Sequence, residues 1–285
     1  FYYIKTSSIL RKTSRDSIVR ELNQVNDTIQ DQVETIDSII PLFMSNEVIQ
    51  NALENPGAGI NYPFSVERQM SYIYNSSALS EKNFTDSIYI YNSRSTVYHA
   101  YTSGILENVD DTSEFLQSTI DSANPHLMCY TSPLHDQNMY FARNLYSSNS
   151  GNRIGMIVIN INAQKWIEYC SKTIDPSWFI MLFNKEFSLS SDSDFSKDQL
   201  LDLYSSLTAQ KNSVLFKEQS FGGRDYFMAS QSLERLGLTS AVAAPKDLLL
   251  ENLNSTLKSY LLVTLAVALL SLMAAFIISR AVTRP

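Results

Sequence analysis

Between Tyr260 and Ile278 the chain runs through nineteen residues without a single charge. As a helix rising about 1.5 Å per residue, this run is roughly 28 Å long, close to the ~30 Å of bilayer hydrocarbon. Within it, Thr264 and Ser271 can return their hydroxyl hydrogens to carbonyls one turn earlier, so neither opposes burial in lipid. Tyr260 stands where an interfacial aromatic belongs; Arg280 and Arg284 follow the run, whereas only Lys258 closely precedes it. That asymmetry predicts a transmembrane helix over 260–278 in a cell membrane, residues 5–258 extracytoplasmic and the C-terminus cytoplasmic. A buried core helix is the competing reading, but core helices of this length rarely lack every charge.

The opening residues, FYYI (1–4) before Lys5, read as the end of a preceding membrane segment or signal, with a disordered terminus as the plainer alternative. Roughly 250 residues lie between, enough for one large or two small domains with a real core. A net charge of −7, with no basic run, argues against nucleic acid as a partner. Sixteen Tyr and fourteen Phe against eight Gly and eight Pro suit a folded α/β or α+β module better than a low-complexity stalk. Cys129 and Cys170 allow one pairing; two thiols so far apart make no disulfide framework, and two buried free thiols are the expectation, with a bridge as the alternative.

Along the chain, Ile18, Leu22, Val25, Ile29, Val33, Ile36 and Ile40 recur at steps of three and four, predicting one long amphipathic helix. Its narrow stripe suits either a dimer seam or packing on the rest of the domain. Pro41 should kink or restart it, residues 42–53 read as a second helix, and Ser65 as the cap of a third running through Tyr74. The period then changes. DSIYIYNSRSTVYHAY (86–101) alternates around Asn92-Ser93-Arg94 as a hairpin, and Thr112–Ser122 reads as a helix. Three more strands follow in MCYTSPL, NMYFARNLYSS and RIGMIVININ, the last two joined by a turn over 147–152, and 163–173 reads as a helix. A smaller unit comes next: strand–turn–strand over 177–191, a helix over 197–210, and a meander turning at Gly222-Gly223 and ending near Pro245. Lys246–Lys258 reads as a helix entering the membrane run without a breaker.

This order, with SIYIYNSRSTVYHA, GMIVININAQKWIEY and SAVAAPKDLLLENL as the stretches that carry the match, resembles the double Cache sensor region of bacterial transmembrane receptors. The end ISRAVTRP is similar to the start of a HAMP linker. The resemblance implies an α+β fold: a long N-terminal stalk helix, two stacked PAS-like antiparallel-sheet modules and a C-terminal transmembrane helix. Its divisions are 1–4 (end of a membrane segment), 5–62 (stalk and second helix), 63–175 (membrane-distal module), 176–245 (membrane-proximal module), 246–259 (exit helix), 260–278 (membrane helix) and 279–285 (linker start).

Catalytic patterns are missing from the sequence. His99, His126 and His135 have no metal-ligand spacing, and no G-x-S-x-G, G-x-G-x-x-G or P-loop occurs, so neither catalytic residues nor a metal or cofactor are expected. The resemblance places a small-molecule pocket in the distal module, between the sheet and residues 105–137. By strand position its candidates are Tyr91, Tyr98, His99, Tyr130, Tyr140, Arg143 and Asn160: aromatic walls with a few polar groups, Arg143 suited to a carboxylate. Alternating tyrosines on a strand are also ordinary half-buried packing. Amino-acid sensors of this kind carry an R-x-W-Y-like stretch and an Asp on the last distal strand; here the stretch is missing and Asn160 takes the Asp position. An amide lacks the charge to hold an ammonium, which disfavours amino acids and leaves sugars, organic acids, nucleobases and peptides. The expected function is ligand sensing outside the cell by a homodimer that controls a cytoplasmic histidine kinase, and through it a response regulator. A chemoreceptor or an AraC-type membrane-bound regulator is the alternative output, and a membrane-anchored protein-binding domain or an anchored enzyme the alternative class.

Overall fold

The computed structural model describes residues 2–55, 62–92, 97–101, 125–131, 138–185, 187–192, 197–207, 213–249 and 262–273. Its spine is α1 (Tyr2–Met44). Ile18, Leu22, Val25, Ile29, Val33, Ile36, Ile40 and Phe43 are buried along one side of this helix, where a 3.6-residue repeat brings them into line. They pack on the protein's own sheets and helices, which settles the stripe as core and leaves Arg15, Arg20, Asn23, Asp27, Asp31 and Glu34 facing outward. Each buried aliphatic contributes about 1.5–3 kcal/mol before ordering entropy, so tertiary packing holds α1.

The helix does not stop at Pro41 but continues for most of a turn to Met44. Proline forfeits only one backbone bond there, and the next helix starts at once: Asn46 caps α2 (Glu47–Glu54) by accepting from the amides of Val48 and Ile49. The predicted second helix therefore divides at Ser45 and Asn46. α3 (Tyr62–Asn75) starts ahead of Ser65, with Pro63 in its first turn, where its missing N–H costs nothing.

Two antiparallel sheets flank this spine. The first holds β1 (Thr85–Asn92), β2 (Val97–Tyr101), β3 (Met128–Thr131), β4 (Asn138–Tyr146) and β5 (Arg153–Asn162) in the order β2-β1-β5-β4-β3. The second holds β6 (Phe179–Phe183), β7 (Ser188–Ser190), β8 (Leu215–Phe221), β9 (Arg224–Leu233) and β10 (Leu238–Pro245) in the order β7-β6-β10-β9-β8. By rank within its own unit each sheet reads second, first, fifth, fourth, third, so one topology occurs twice in a chain with no visible repeat. Asn162 caps α4 (Ala163–Ser171), whose Trp166, Ile167 and Cys170 fill the junction between the two units. α5 (Lys197–Leu207) lies in the second unit.

One core runs along α1 from Ile18 to Phe43. Ile88, Ile90, Ile157 and Ile159 join it from the first sheet, and Ile180, Leu182, Phe227, Ala229 and Val242 from the second. The opposite face of each sheet makes its own cluster. In the second it is sealed by Leu200, Leu203 and Leu207 of α5 against Phe179, Met181, Phe183, Tyr226 and Met228. Ser230 donates to the Leu207 carbonyl at 2.7 Å and closes the end of α5.

Cys129 and Cys170 are free thiols. The predicted helix over 112–122 and most of 246–258 lie outside the described residues, though 246–249 is helical. A last helix, α6 (262–273), is the described part of the apolar run, and every residue in it is exposed. Among the described residues no helix is long and apolar enough to cross a membrane; α6 is shorter than the ~20 residues a span needs.

Candidate functional site

Asn160 of β5 stands opposite Ser87 of β1 on one side and Tyr140 of β4 on the other. Directly opposed residues of an antiparallel ladder share a face. Extending the register, Tyr89 opposes Val158 and His99, Tyr91 opposes Met156, Tyr130 opposes Tyr140, Met128 opposes Ala142 and Asn144 opposes Met156. This is the face turned away from α1. Tyr89, Tyr140, Ala142, Met156 and Val158 are buried on it, with Tyr91, Met128 and Tyr130 packed beside them.

The tyrosines form two tilted pairs, Tyr89–Tyr91 with ring centroids 6.5 Å apart and Tyr130–Tyr140 at 6.4 Å. Between them, Asn160 is 2 % exposed and Tyr89 3 % exposed. Among the described residues neither the Asn160 Oδ1 nor the Tyr89 hydroxyl has a hydrogen-bond partner. Most buried polar atoms are satisfied, and leaving one unpaired costs about 1–3 kcal/mol. Two such atoms on one sheet face are an arrangement that a bound solute can complete.

Of the seven residues chosen from sequence, Tyr91, His99, Tyr130, Tyr140 and Asn160 share this face. His99 sits on the edge strand β2, and its Nδ1 lies 3.1 Å from Glu67 Oε1 of α3. Tyr98 and Arg143 lie on the other face. Tyr98 opposes Ile90 and is buried in the core shared with α1. Arg143 opposes Ile157, donates through Nη1 to Asp37 Oδ1 at 2.8 Å and through Nε to the Pro125 carbonyl at 2.7 Å. It lines a cleft of about 660 Å³ with Ile40, Met44 and Gln50. Strand alternation accounts for both differences, because neighbouring residues point to opposite faces. The same rule identifies Tyr89, which the sequence reading passed over: it is two residues from Tyr91 and so shares its face. Residues 102–124 and 132–137, which include most of the stretch expected to close this pocket, lie outside the described residues.

The equivalent face of the second sheet is filled with apolar side chains from α5, as described above, and offers no comparable polar atoms among its described residues. Among the described residues no cluster of three or more His, Cys, Asp or Glu side chains is placed to hold a metal ion. Burial pushes the Cys129 and Cys170 thiols up to about 12, so both stay protonated at neutral pH and are poor nucleophiles.

No protein-family model matches the chain, and no curated protein matches it. Solved structures do. The ligand-binding domain of the Campylobacter jejuni chemoreceptor Tlp3, in complex with L-norvaline, aligns with a TM-score of 0.56 at 14% identity, over 84% of this chain and 94% of that one. The sensor domain of the V. cholerae histidine kinase DctB aligns with a TM-score of 0.54 at 14% identity, over 86% of this chain and 99% of that one. This chain has the fold of those sensory domains. The ligand-binding domain of the Pseudomonas aeruginosa amino acid chemoreceptor PctB, in complex with L-Arg, is a third example, with a TM-score of 0.52 at 13% identity, over 83% of this chain and 95% of that one. These alignments span 83–86% of this chain, and the doubled arrangement expected from the sequence, two antiparallel sheets of one strand order beside a long helix, is present.

Proposed function

We propose that this chain is the extracytoplasmic ligand-sensing region of a transmembrane signalling receptor. The observation that carries this reading is the buried, unpartnered pair Asn160 Oδ1 and Tyr89 OH on the outer face of the first sheet, in a fold shared with sensory domains of receptors. The site is assigned to Tyr89, Tyr91, Tyr130, Tyr140 and Asn160, with His99 at its edge. A small molecule binding here favours one arrangement of the distal module over another, and the difference in affinity between the two sets how far the receptor shifts.

The route to the membrane is assigned to residues 246–278. The exposed, uncharged and largely apolar surface of α6 supports a membrane helix at 260–278, since an apolar helix left bare in water is costly. Glu218 supports coupling at its start: its carboxylate meets Arg11 of α1 at 3.0 Å and Lys246 at 3.1 Å, tying the entry helix to the exit helix. The receptor is proposed as a homodimer, and, because the apolar stripe of α1 is occupied, the polar outward face of that helix is the surface left for pairing. Control of a cytoplasmic histidine kinase and its response regulator through a HAMP linker is the proposed output, supported by the likeness to DctB. The likeness to Tlp3 and PctB supports a chemoreceptor equally.

The test is calorimetry of the full chain in lipid nanodiscs against a metabolite panel. Saturable one-site binding that Asn160→Leu abolishes is expected. A cooperatively folded protein that binds nothing and carries no endogenous small molecule would remove the sensing assignment.

A further inference from the structure

The start of α1 is basic. In the first twenty residues Lys5, Arg11, Lys12, Arg15 and Arg20 stand against Asp16 alone, in a chain whose net charge is −7. Arg11, Lys12 and Arg15 line a cleft of about 560 Å³ whose other wall is Val214, Leu215 and Phe216, where β8 begins. Glu218, further along β8, is already engaged by Arg11 at 3.0 Å and by Lys246 at 3.1 Å. Lys12 and Arg15 are exposed, and among the described residues neither makes a hydrogen bond or an ion pair. The apolar wall is held in place from behind. Phe216 stacks on Phe227 with ring centroids 5.8 Å apart, and Phe227 belongs to the core along α1.

Two cations without partners beside an apolar wall suit an anion that carries its own apolar part. The planar guanidinium of Arg15 can grip two phosphate oxygens at once, and the Lys12 ammonium adds a point charge. Position in the chain indicates where such an anion comes from. With residues 1–4 read as the end of a membrane segment and α1 continuous from Tyr2, residues 11–15 stand about 10–17 Å along the helix from Ile4. Headgroups fill roughly the first 5–8 Å of that distance. The basic turn therefore stands within about one Debye length (~8 Å) of the headgroup surface, and long Lys and Arg side chains reach towards it. Lys246, tied to Arg11 through Glu218, opens the segment assigned as the route to the membrane helix, which puts the same end of the molecule at the bilayer. We infer that this cleft holds the phosphate of an anionic phospholipid, with the glycerol and upper acyl carbons against Val214 and Phe216. This rests on the membrane assignment above and goes beyond it, since a lipid held here bridges α1 and the second sheet and makes their packing depend on the surrounding membrane.

The test reconstitutes the full chain in nanodiscs of mixed phosphatidylcholine and phosphatidylglycerol and counts the lipid that stays bound on release by native mass spectrometry. Phosphatidylglycerol should be enriched about ten-fold or more over its share of the disc. Lys12→Gln combined with Arg15→Gln should cut that enrichment by about five-fold or more and leave the melting curve unchanged, because both side chains are exposed. Arg153→Gln combined with Lys172→Gln removes the same charge from exposed positions in the first unit and on its exit from α4, and should leave the enrichment intact. No enrichment in the unaltered chain, or an equal loss in the two double variants, would overturn the cleft assignment. Displacement of the lipid by inorganic phosphate would make this a soluble-anion site and overturn the lipid source. A chain that fails to enter nanodiscs would overturn the membrane helix and the cleft together. Metabolite binding at Asn160 is read separately by calorimetry, so the loss of one assignment leaves the other standing.

Discussion

Asp37 of α1 accepts a hydrogen bond from Arg235 at 3.1 Å across 198 residues of chain. Its second oxygen accepts from Arg143 at 2.8 Å, so one carboxylate on the spine holds an arginine from each sheet unit. The groups are between one quarter and one half exposed, which limits each pair to about 0–1 kcal/mol. Asp37→Asn should therefore cost about 1–2 kcal/mol in chemical denaturation. Combined with Arg235→Gln, the loss should be less than additive, because both changes break one network. Strict additivity would show that the two units are joined by packing alone.

Gly155 lies beneath Tyr91 where β5 passes β1. A Cβ at this position would collide with the Tyr91 carbonyl and sit 3.2 Å from the Leu53 side chain. Backbone cannot move aside as a flexible side chain can, so Gly155→Ala should destabilise the chain by about 1–3 kcal/mol through overpacking. Tyr91 belongs to the proposed site, so weaker ligand binding should accompany the loss. An unchanged melting curve would contradict this packing.

Both thiols should resist alkylation by iodoacetamide at pH 8 while the protein is folded and react on denaturation, read by mass spectrometry. Cys170 is fully buried, and its ionisation is displaced upward to about 12. A group whose folded pKa is raised keeps its stability contribution below its unfolded value and loses it as pH climbs toward the folded one. Stability should thus fall above pH ~8.5 by about 1.4 kcal/mol per pH unit from this thiol, approaching pH 12. Cys170→Ala should flatten that alkaline decline.

Asn162 ends β5 and begins α4. Its side chain accepts from the Lys165 amide at 3.0 Å. Asn162→Ala should cost about 1 kcal/mol, and Asn162→Asp or Asn162→Ser should restore most of it, since either can cap the helix. Equal losses for all three would place the role of Asn162 elsewhere, such as in its contact with Asp86 at 3.4 Å.

Element identity was legible wherever a residue's own neighbours encode it. The three-and-four spacing from Ile18 to Ile40 announced α1, and alternation through SIYIYN and GMIVININ announced β1 and β5. Element ends were less legible at Pro41 and at Ser65, because a proline near a helix end costs little and its effect depends on the packing of the residues after it. The site was half legible. Alternation says that Tyr91 and Tyr98 differ in environment once the hairpin register is known, but that register depends on residues 93–96, whose length alone does not specify it.

The sequence by itself determined the helical stripe, the strands and the uncharged run at 260–278, all of which are properties of short or uninterrupted stretches. The tertiary structure alone decided that the stripe of α1 is core, that two dissimilar stretches adopt one strand order, that Arg143 pairs with Asp37 on the α1 side of the first sheet, and that Asn160 is buried with its oxygen unpaired among the described residues. Each of these depends on a partner distant in the chain, as Asp37 is from Arg143 by 106 residues. Local periodicity shows which side of an element avoids water. Which other element covers that side is settled only when the whole chain packs.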